Sequence, residues 1–504
     1  VHPAELYKQL TDEELAVIFQ GCDFKTTPFH RQAVAMAYAL DGRDRCCLLM
    51  DIGLGKTLVA LYLKQLWGSK RMFVVCPRGV IRTWCEQAKK HTDLKVEVLT
   101  GSTKVRRKLY ETSNADLLVI NYEGLKHLFG KKVPVIGRDG KERQMFVPDK
   151  DALGKCDHDF FVADEVHHFK GSGSVQTEIG HHLSRSAQYA LTMTGSPIGN
   201  TELDLWGEYW VLDGGRALGD NFYSFRNRFF YAITLKGRRQ TFKKWILRDG
   251  ALEQMMEKIA PITLRYDWEE CGGDLLERTY EQRHVPMSPT QQRLTRAVLD
   301  GLIAAVAEGK VDLKNVINKS IKLAQITGGF IKGPGGVVRL KPGQNPKLQD
   351  LLQCIREVRG KVIIYHHFVE EGRLLELAFK RAKIQFRSVR GEIKDKDKQV
   401  DGFVNNPKVK ALIAHPACGG EGLNLQDTAH TVFFFSNTYS GGIVRPQAEG
   451  RVFRTGQKHK CVFVDFMVEH SIDEVIYAAM MGKKDAAQRL LNWLREQVVK
   501  RVGQ

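Results

Sequence analysis

The sequence predicts an α/β protein of two tandem lobes, each a parallel sheet with helices on both faces, plus a helical linker region and small hairpin insertions. Three observations predict it. At 504 residues the chain is too long for one core. Its apolar runs are short and continuous rather than alternating, the pattern of strands buried on both faces. These runs come in two sets, separated by a largely helical stretch at roughly 200–350.

In the first set the strand-length runs are 46–51, 71–77, 96–101, 116–122, 159–165 and 189–195. Helix-length segments such as 56–68 and 80–91 lie between them. The second set repeats the alternation at 360–368, 384–391, 409–417, 430–436 and 460–468, with helical connectors at 369–382 and 396–406. The join ends in a Gly/Pro-rich stretch, 329–346. Two segments read as inserted hairpins. Residues 133–148 alternate around Asp139-Gly140, a turn dipeptide, and 231–247 is strongly basic. Each is a solvated surface hairpin or a nucleic-acid contact; the first is also a candidate protein contact.

Lys and Arg total 76 against 58 Asp and Glu, a net charge of +18, which points to a polyanionic partner such as nucleic acid. The ten cysteines include the neighbours Cys46 and Cys47 but no C-x-x-C, so neither disulfides nor a zinc knuckle is expected and a reducing compartment is. No apolar run approaches the roughly 18 residues of a membrane span, and no secretory leader is recognisable.

The most specific local pattern is MDIGLGKT, residues 50–57. A strand ends near Met50, a glycine-bearing turn follows, and Lys56-Thr57 opens a helix. Gly53 and Gly55 allow the backbone N–H groups around Leu54 to approach phosphates, and the helix N-terminus adds positive potential. Lys56 would reach the β- and γ-phosphates of ATP, and the Thr57 hydroxyl would ligate Mg²⁺. The full phosphate-loop pattern would need a glycine where Met50 stands.

FFVADEVHHFKG, residues 160–171, sets Asp164, Glu165, His167 and His168 within five positions. They form either a metal cage or a strand end offering acids to a magnesium-bound phosphate. Neighbouring residues point apart, and zinc-binding helices space histidines at i, i+4, so only one histidine can face Asp164. With a phosphate loop upstream the second reading prevails: Asp164 for Mg²⁺, Glu165 for the attacking water.

With DEVH in place, the chain resembles helicase superfamily two, the DEAD/DEAH-type enzymes. Its motif order, over about 24–480, is similar to that of the Swi/Snf group of DNA-dependent ATPases. The resemblance implies RecA-like lobes at 1–260 and 346–504, a helical bridge at 261–345 and a C-terminal helix. TTPFHRQAVAMAYAL (26–40) resembles the adenine-reading motif, with Gln32 as its glutamine and Phe29 able to stack on the base. VVCPRGVIRTWCEQAKK (74–90) carries the group's tryptophan, Trp84, and VINYEGL (119–125) is similar to another of its stretches. LTMTGSPIGN (191–200) implies that Thr194 and Ser196, with His167, couple nucleotide state to nucleic acid, His168 being a bystander. ACGGEGLNLQDTAHTVFFFS (417–436) supplies Gly420, Gly422 and Asn424; QAEGRVFRTGQ (447–457) supplies Gln447 for coupling and the arginines Arg451 and Arg454. Arginines there stabilise charge on the transferring phosphoryl group. Candidate DNA contacts are Arg78, Thr194, Gly391 and Gly420. His415-Pro416-Ala417 stands where the group has Ser-Thr-Arg, a departure at the DNA-contacting motif. YSGGIVRPQAEG (439–450) fits annealing-helicase-like or phage and bacterial relatives better than nucleosome remodellers.

The resemblance thus implies an ATP-dependent translocase on duplex DNA, sequence-independent because phosphates carry the contacts, using ATP and Mg²⁺. A strand-separating or annealing helicase on forks, R-loops or RNA is the alternative. An ATP-switched subunit of a larger defence or replication complex is a further one. A bacterial or phage-host cytoplasm is expected rather than a nucleus, with a protein partner complex possible and no membrane.

Overall fold

The structure is a computed structural model describing residues 3–136, 142–171, 173–195, 201–236, 241–267, 270, 277–307, 313–333, 335–393, 395–416, 425–438, 441–454 and 457–481. Its contacts divide the chain into two compact units, Val1–Gly272 and Gly273–Gln504. Among the described residues no helix is long and apolar enough to cross a membrane.

The first unit holds β1 (Arg45–Met50), β2 (Met72–Cys76), β3 (Val96–Val98), β4 (Leu117–Asn121), β5 (Gly130–Ile136), β6 (Glu142–Pro148), β7 (Phe160–Asp164), β8 (Tyr189–Thr194), β9 (Phe230–Lys236), β10 (Thr241–Leu247) and β11 (Thr263–Tyr266). Seven of them form one sheet in the order β11-β1-β8-β7-β2-β4-β3, with every pairing parallel. The continuous apolar runs follow from burial on both faces. In β2, Met72, Val74 and Cys76 pack with Val59 and Leu63 of the helix Lys56–Leu66, while Phe73 and Val75 face the other way toward Ile179 and Leu183 of the helix Val175–Ser186. Each such fully buried side chain stabilises the fold by about 1.5–3 kcal/mol. The two inserted hairpins are present as separate antiparallel ribbons, β5/β6 and β9/β10. The turn at Asp139-Gly140 lies outside the described residues.

The second unit holds β12 (Arg278–Val285), β13 (Phe330–Gly333), β14 (Gly336–Arg339), β15 (Lys361–Tyr365), β16 (Phe386–Val389), β17 (Ala411–Ala414), β18 (Ala429–Phe434) and β19 (Cys461–Val468). Its sheet runs β12-β19-β18-β15-β17-β16, again all parallel, over a core that includes Leu351, Ile364, Phe379, Ile413 and Phe466.

The segment expected as a helical bridge, 261–345, does contain the helices Pro289–Ala307 and Leu313–Thr327. It also supplies an edge strand to each sheet, β11 to the first and β12 to the second. Edge strands need one neighbour and one buried face, so RTYEQRHV stays mostly half-buried or exposed and leaves no continuous apolar run in the sequence.

Candidate functional site

In a parallel sheet every strand delivers its next loop to the same end, and ligands collect where those loops meet. At that end of the first sheet three strands lie side by side. β8 separates β1 from β7, with Leu49 level with Thr194 and Asp164 level with Met193. The phosphate loop after β1, the acids after β7 and Thr194 on β8 are therefore brought together, although they are far apart in the sequence.

The loop turns through Gly53 (φ 92°) and Gly55 (φ 89°), left-handed positions that favour glycine. Gly55 caps the helix Lys56–Leu66, and a Cβ there would stand 2.0 Å from Nε2 of Gln32. The buried Gln32 amide donates to the Leu54 carbonyl at 3.2 Å and accepts from the Phe29 N–H at 2.9 Å. Phe29 itself is exposed, with the Arg31 guanidinium 4.9 Å from its ring. Leu54, expected as a nucleotide contact, is fully buried. Its N–H donates to the Asp51 carbonyl and its own carbonyl accepts from Gln32, which ties the loop together. Lys56 donates to the carbonyls of Met50 at 2.6 Å and Asp51 at 3.3 Å, and Thr57 is half-buried beside it.

Asp164 ends β7, almost fully buried, and its Oδ2 accepts the indole N–H of Trp84 at 2.9 Å. Burial, then the neighbouring Glu165 carboxylate, raise Asp164 above the ordinary carboxylate range, while Lys56 and Trp84 pull it down. Carboxylate and hydroxyl oxygens are hard donors that suit Mg²⁺, so the chemistry of Asp164 and Thr57 fits the expected ion.

Glu165 adopts a left-handed backbone conformation, φ 57° and ψ 57°. Its Oε2 accepts the Thr194 hydroxyl at 3.2 Å and lies 3.4 Å from Nδ1 of His167, which is 3.3 Å from the same hydroxyl. The expected coupling residues His167 and Thr194 thus both touch the acid expected to handle water. Thr194 is 0% exposed, and its hydroxyl meets both Glu165 and His167. His168, expected as a bystander, stacks on Tyr122 with ring centroids 4.6 Å apart. The Tyr122 hydroxyl shares its proton between the carbonyls of Asp164, at 2.8 Å, and Glu165, at 3.2 Å.

Sequence reasoning missed the roles of Trp84 and Tyr122, although both stood inside quoted motifs. It also missed Glu208 of the helix Asp204–Asp213. Burial, then Asp204, push the Glu208 carboxyl well up, with Glu165 adding to the effect. Arg78, expected as a DNA contact, is exposed on the turn after β2.

In the second unit Arg451 is buried and Arg454 half-buried; burial and then the like charge of Arg451 push Arg454 down to about 10. Two close guanidiniums favour an anion between them. They follow the helix Gly441–Glu449, on which Gln447 is half-exposed. An unforeseen residue anchors that helix. Arg445 lies 3.4 Å over the Phe434 ring, forks onto both oxygens of the fully buried Asp465 at 2.7 and 3.0 Å, and donates to Glu449 at 2.6 Å. Tyr280 of β12 donates to the other Glu449 oxygen at 2.7 Å. Gly391 is exposed just beyond β16. Ser196, Gly420, Gly422 and Asn424 lie outside the described residues.

A model of the SNF2-related domain matches residues 29–327, and one of the helicase conserved C-terminal domain matches 346–456. Protein p41 of Acyrthosiphon pisum secondary endosymbiont phage 1 is 25% identical over 93% of this chain and 99% of its own length. The DNA repair and recombination protein RDH54 of Saccharomyces cerevisiae is 25% identical over 88% of this chain, which spans only 51% of that protein. An ATP-dependent helicase of Mycoplasma pneumoniae is 22% identical, and the chain spans 40% of it. Among solved structures, the SWI2/SNF2 ATPase core of Sulfolobus solfataricus in complex with double-stranded DNA is 21% identical, covering 92% of each chain at a TM-score of 0.41. Since the first family model covers more than half of the sequence and the second follows it, this chain belongs to the SNF2-related family of helicase-type, ATP-using enzymes.

Proposed function

We propose that this chain hydrolyses ATP to move along duplex DNA without reading its sequence. The observation that carries the hydrolytic half is the convergence of Lys56, Asp164 and Glu165 at one end of one sheet, with Glu165 bonded to Thr194. Lys56 and the loop N–H groups would neutralise the β- and γ-phosphates, with Phe29 beside the base. Magnesium, held by Thr57 and Asp164, would supply further charge neutralisation. Glu165 would accept a proton from the attacking water as its oxygen bonds to the γ-phosphorus and the bond to the ADP oxygen breaks. Arg451 and Arg454 would stabilise the charge that develops. Because Thr194 and His167 both contact Glu165, a shift of either would change the water-activating group, which is how DNA engagement would gate turnover.

The net charge of +18 and the DNA-related names of the yeast and archaeal proteins support duplex DNA as the track. The similarity to a phage protein supports a bacterial cytoplasm. ATPase rates should rise most with duplex DNA, and triplex displacement should occur without strand separation. Unwinding without triplex displacement would replace the translocase by a strand-separating helicase, for which the ribbons β5/β6 and β9/β10 are the available wedges. No stimulation by any nucleic acid would leave an ATP-switched subunit.

A further inference from the structure

We propose that the ribbon β9/β10, with the helix Phe222–Phe229 leading into it, is a duplex-DNA contact in its own right, gripping a groove from between its two backbones. The inference rests on the duplex-motor reading and adds a place where the duplex is held.

Residues 221–250 contain eight lysines and arginines and a single acid, Asp249. Several cations elsewhere in the first unit are neutralised: Arg71 by Asp157, Arg107 by Asp149 at 3.1 Å, Lys8 by Glu270 at 2.7 Å. Among the described residues, no carboxylate is within ion-pair distance of Arg228, Lys243 or Lys244, and all three are exposed. Arg228, Lys243 and Lys244 therefore project positive potential that no carboxylate among the described residues pairs with.

The arrangement of the charges favours a duplex over a single strand. Lys243 is level with Thr234 and Lys244 with Ile233, and consecutive strand residues leave opposite faces. The ribbon forms a sheet by itself, so it carries a cation on each face. The major groove of B-DNA, about 12 Å wide, admits a two-stranded ribbon with a phosphate backbone on either side. A single strand would be held along one face, on stacked aromatics. Tyr223 and Tyr231, 61% and 44% exposed, add hydroxyls suited to phosphate.

The base of the ribbon is rigid, which lowers the ordering cost of binding. Phe225, Phe229 and Phe230 are buried in an aromatic core with Trp206 and Met255. The Arg226 guanidinium lies 3.9 Å from the Trp245 ring and 5.1 Å from that of Tyr223.

The test uses the whole chain with Lys243 and Lys244 both replaced by Ala, then both by Glu. Affinities for a blunt duplex and for a single strand of equal length are measured across a salt series, together with ATP turnover in the absence of DNA. The alanine pair should weaken duplex binding by about 10-fold and lower the salt slope by about 2, with a larger loss for the glutamate pair. Turnover without DNA should stay unchanged. Unaltered duplex affinity and slope would overturn the inference, as would a loss confined to the single strand. If the unmodified chain binds no duplex at all, the duplex-motor reading fails first.

Discussion

The indole of Trp84 and the carboxylate of Asp164 are joined by a 2.9 Å hydrogen bond inside the first unit, both side chains nearly or fully buried. Trp84 therefore does more than fill the core: its N–H favours the charged form of the acid against the burial that opposes it.

Trp84→Phe keeps the ring and deletes the donor. Partners of ligating carboxylates typically affect metal affinity or activity by about 10–100-fold. The variant should need more Mg²⁺ for half-maximal turnover, with its ATP-binding loop otherwise intact. A magnesium titration of ATPase rate checks this, and an unshifted curve would remove Trp84 from the site.

Glu165→Gln should still bind ATP while turnover falls by about 100-fold or more. Arg454→Ala should likewise cost turnover far more than nucleotide binding. Equilibrium binding of a fluorescent ATP analogue beside steady-state rates separates the two effects. Equal losses in both would mean that these side chains hold the nucleotide rather than act on it.

Arg445→Met leaves Asp465 and Glu449 as buried carboxylates without their cation. Breaking a buried pair in this way costs about 3–5 kcal/mol, so urea unfolding of the second unit should shift strongly. Arg445→Lys restores charge but not the fork, and should rescue stability only in part. If Arg445 also sets Arg451 and Arg454, the lysine variant will show reduced turnover at near-normal ATP affinity.

Acid should weaken the first unit through His158. Its Nε2–H donates to the Leu183 carbonyl at 2.9 Å, and burial pushes the ring down to about 4 from an ordinary 6.5. The folded chain therefore keeps His158 neutral where the unfolded chain has taken a proton. Stability is fully present above about pH 6.5 and is lost as pH falls toward 4, by about 3 kcal/mol from this group. His158→Gln should flatten the unfolding free energy between pH 7.5 and 5 by up to one proton's slope. An unchanged slope would reassign the acid sensitivity to other groups.

The parts of this molecule legible in the sequence are those whose chemistry is local. Lys56-Thr57 and Asp164-Glu165 are each a few consecutive residues at a strand end, and continuous apolar runs betray a sheet covered on both faces. What stayed hidden depends on which strands become neighbours. Trp84 reaches Asp164 because β2 pairs with β7, with Val75 level with Ala163. Arg445 finds Asp465 because Phe434 and Asp465 are level on β18 and β19. Neither pairing is written in local spacing. Leu54 and Thr194 stand in recognisable motifs, but their full burial and the Thr194 bond to Glu165 depend on the fold around them. The edge strands of the bridge were hidden for the opposite reason, being too polar to stand out.

The left-handed turn at Glu165 has one more consequence. A glutamate in that conformation costs about 1 kcal/mol or more, and the hydroxyl of Tyr122, bonded to the carbonyls of residues 164 and 165, holds it there. The stretch around Tyr122 and the DEVH turn should therefore open as one unit, although 40-odd residues of chain separate them. Their amides should exchange with solvent at a common free energy, and Tyr122→Phe should release both at once.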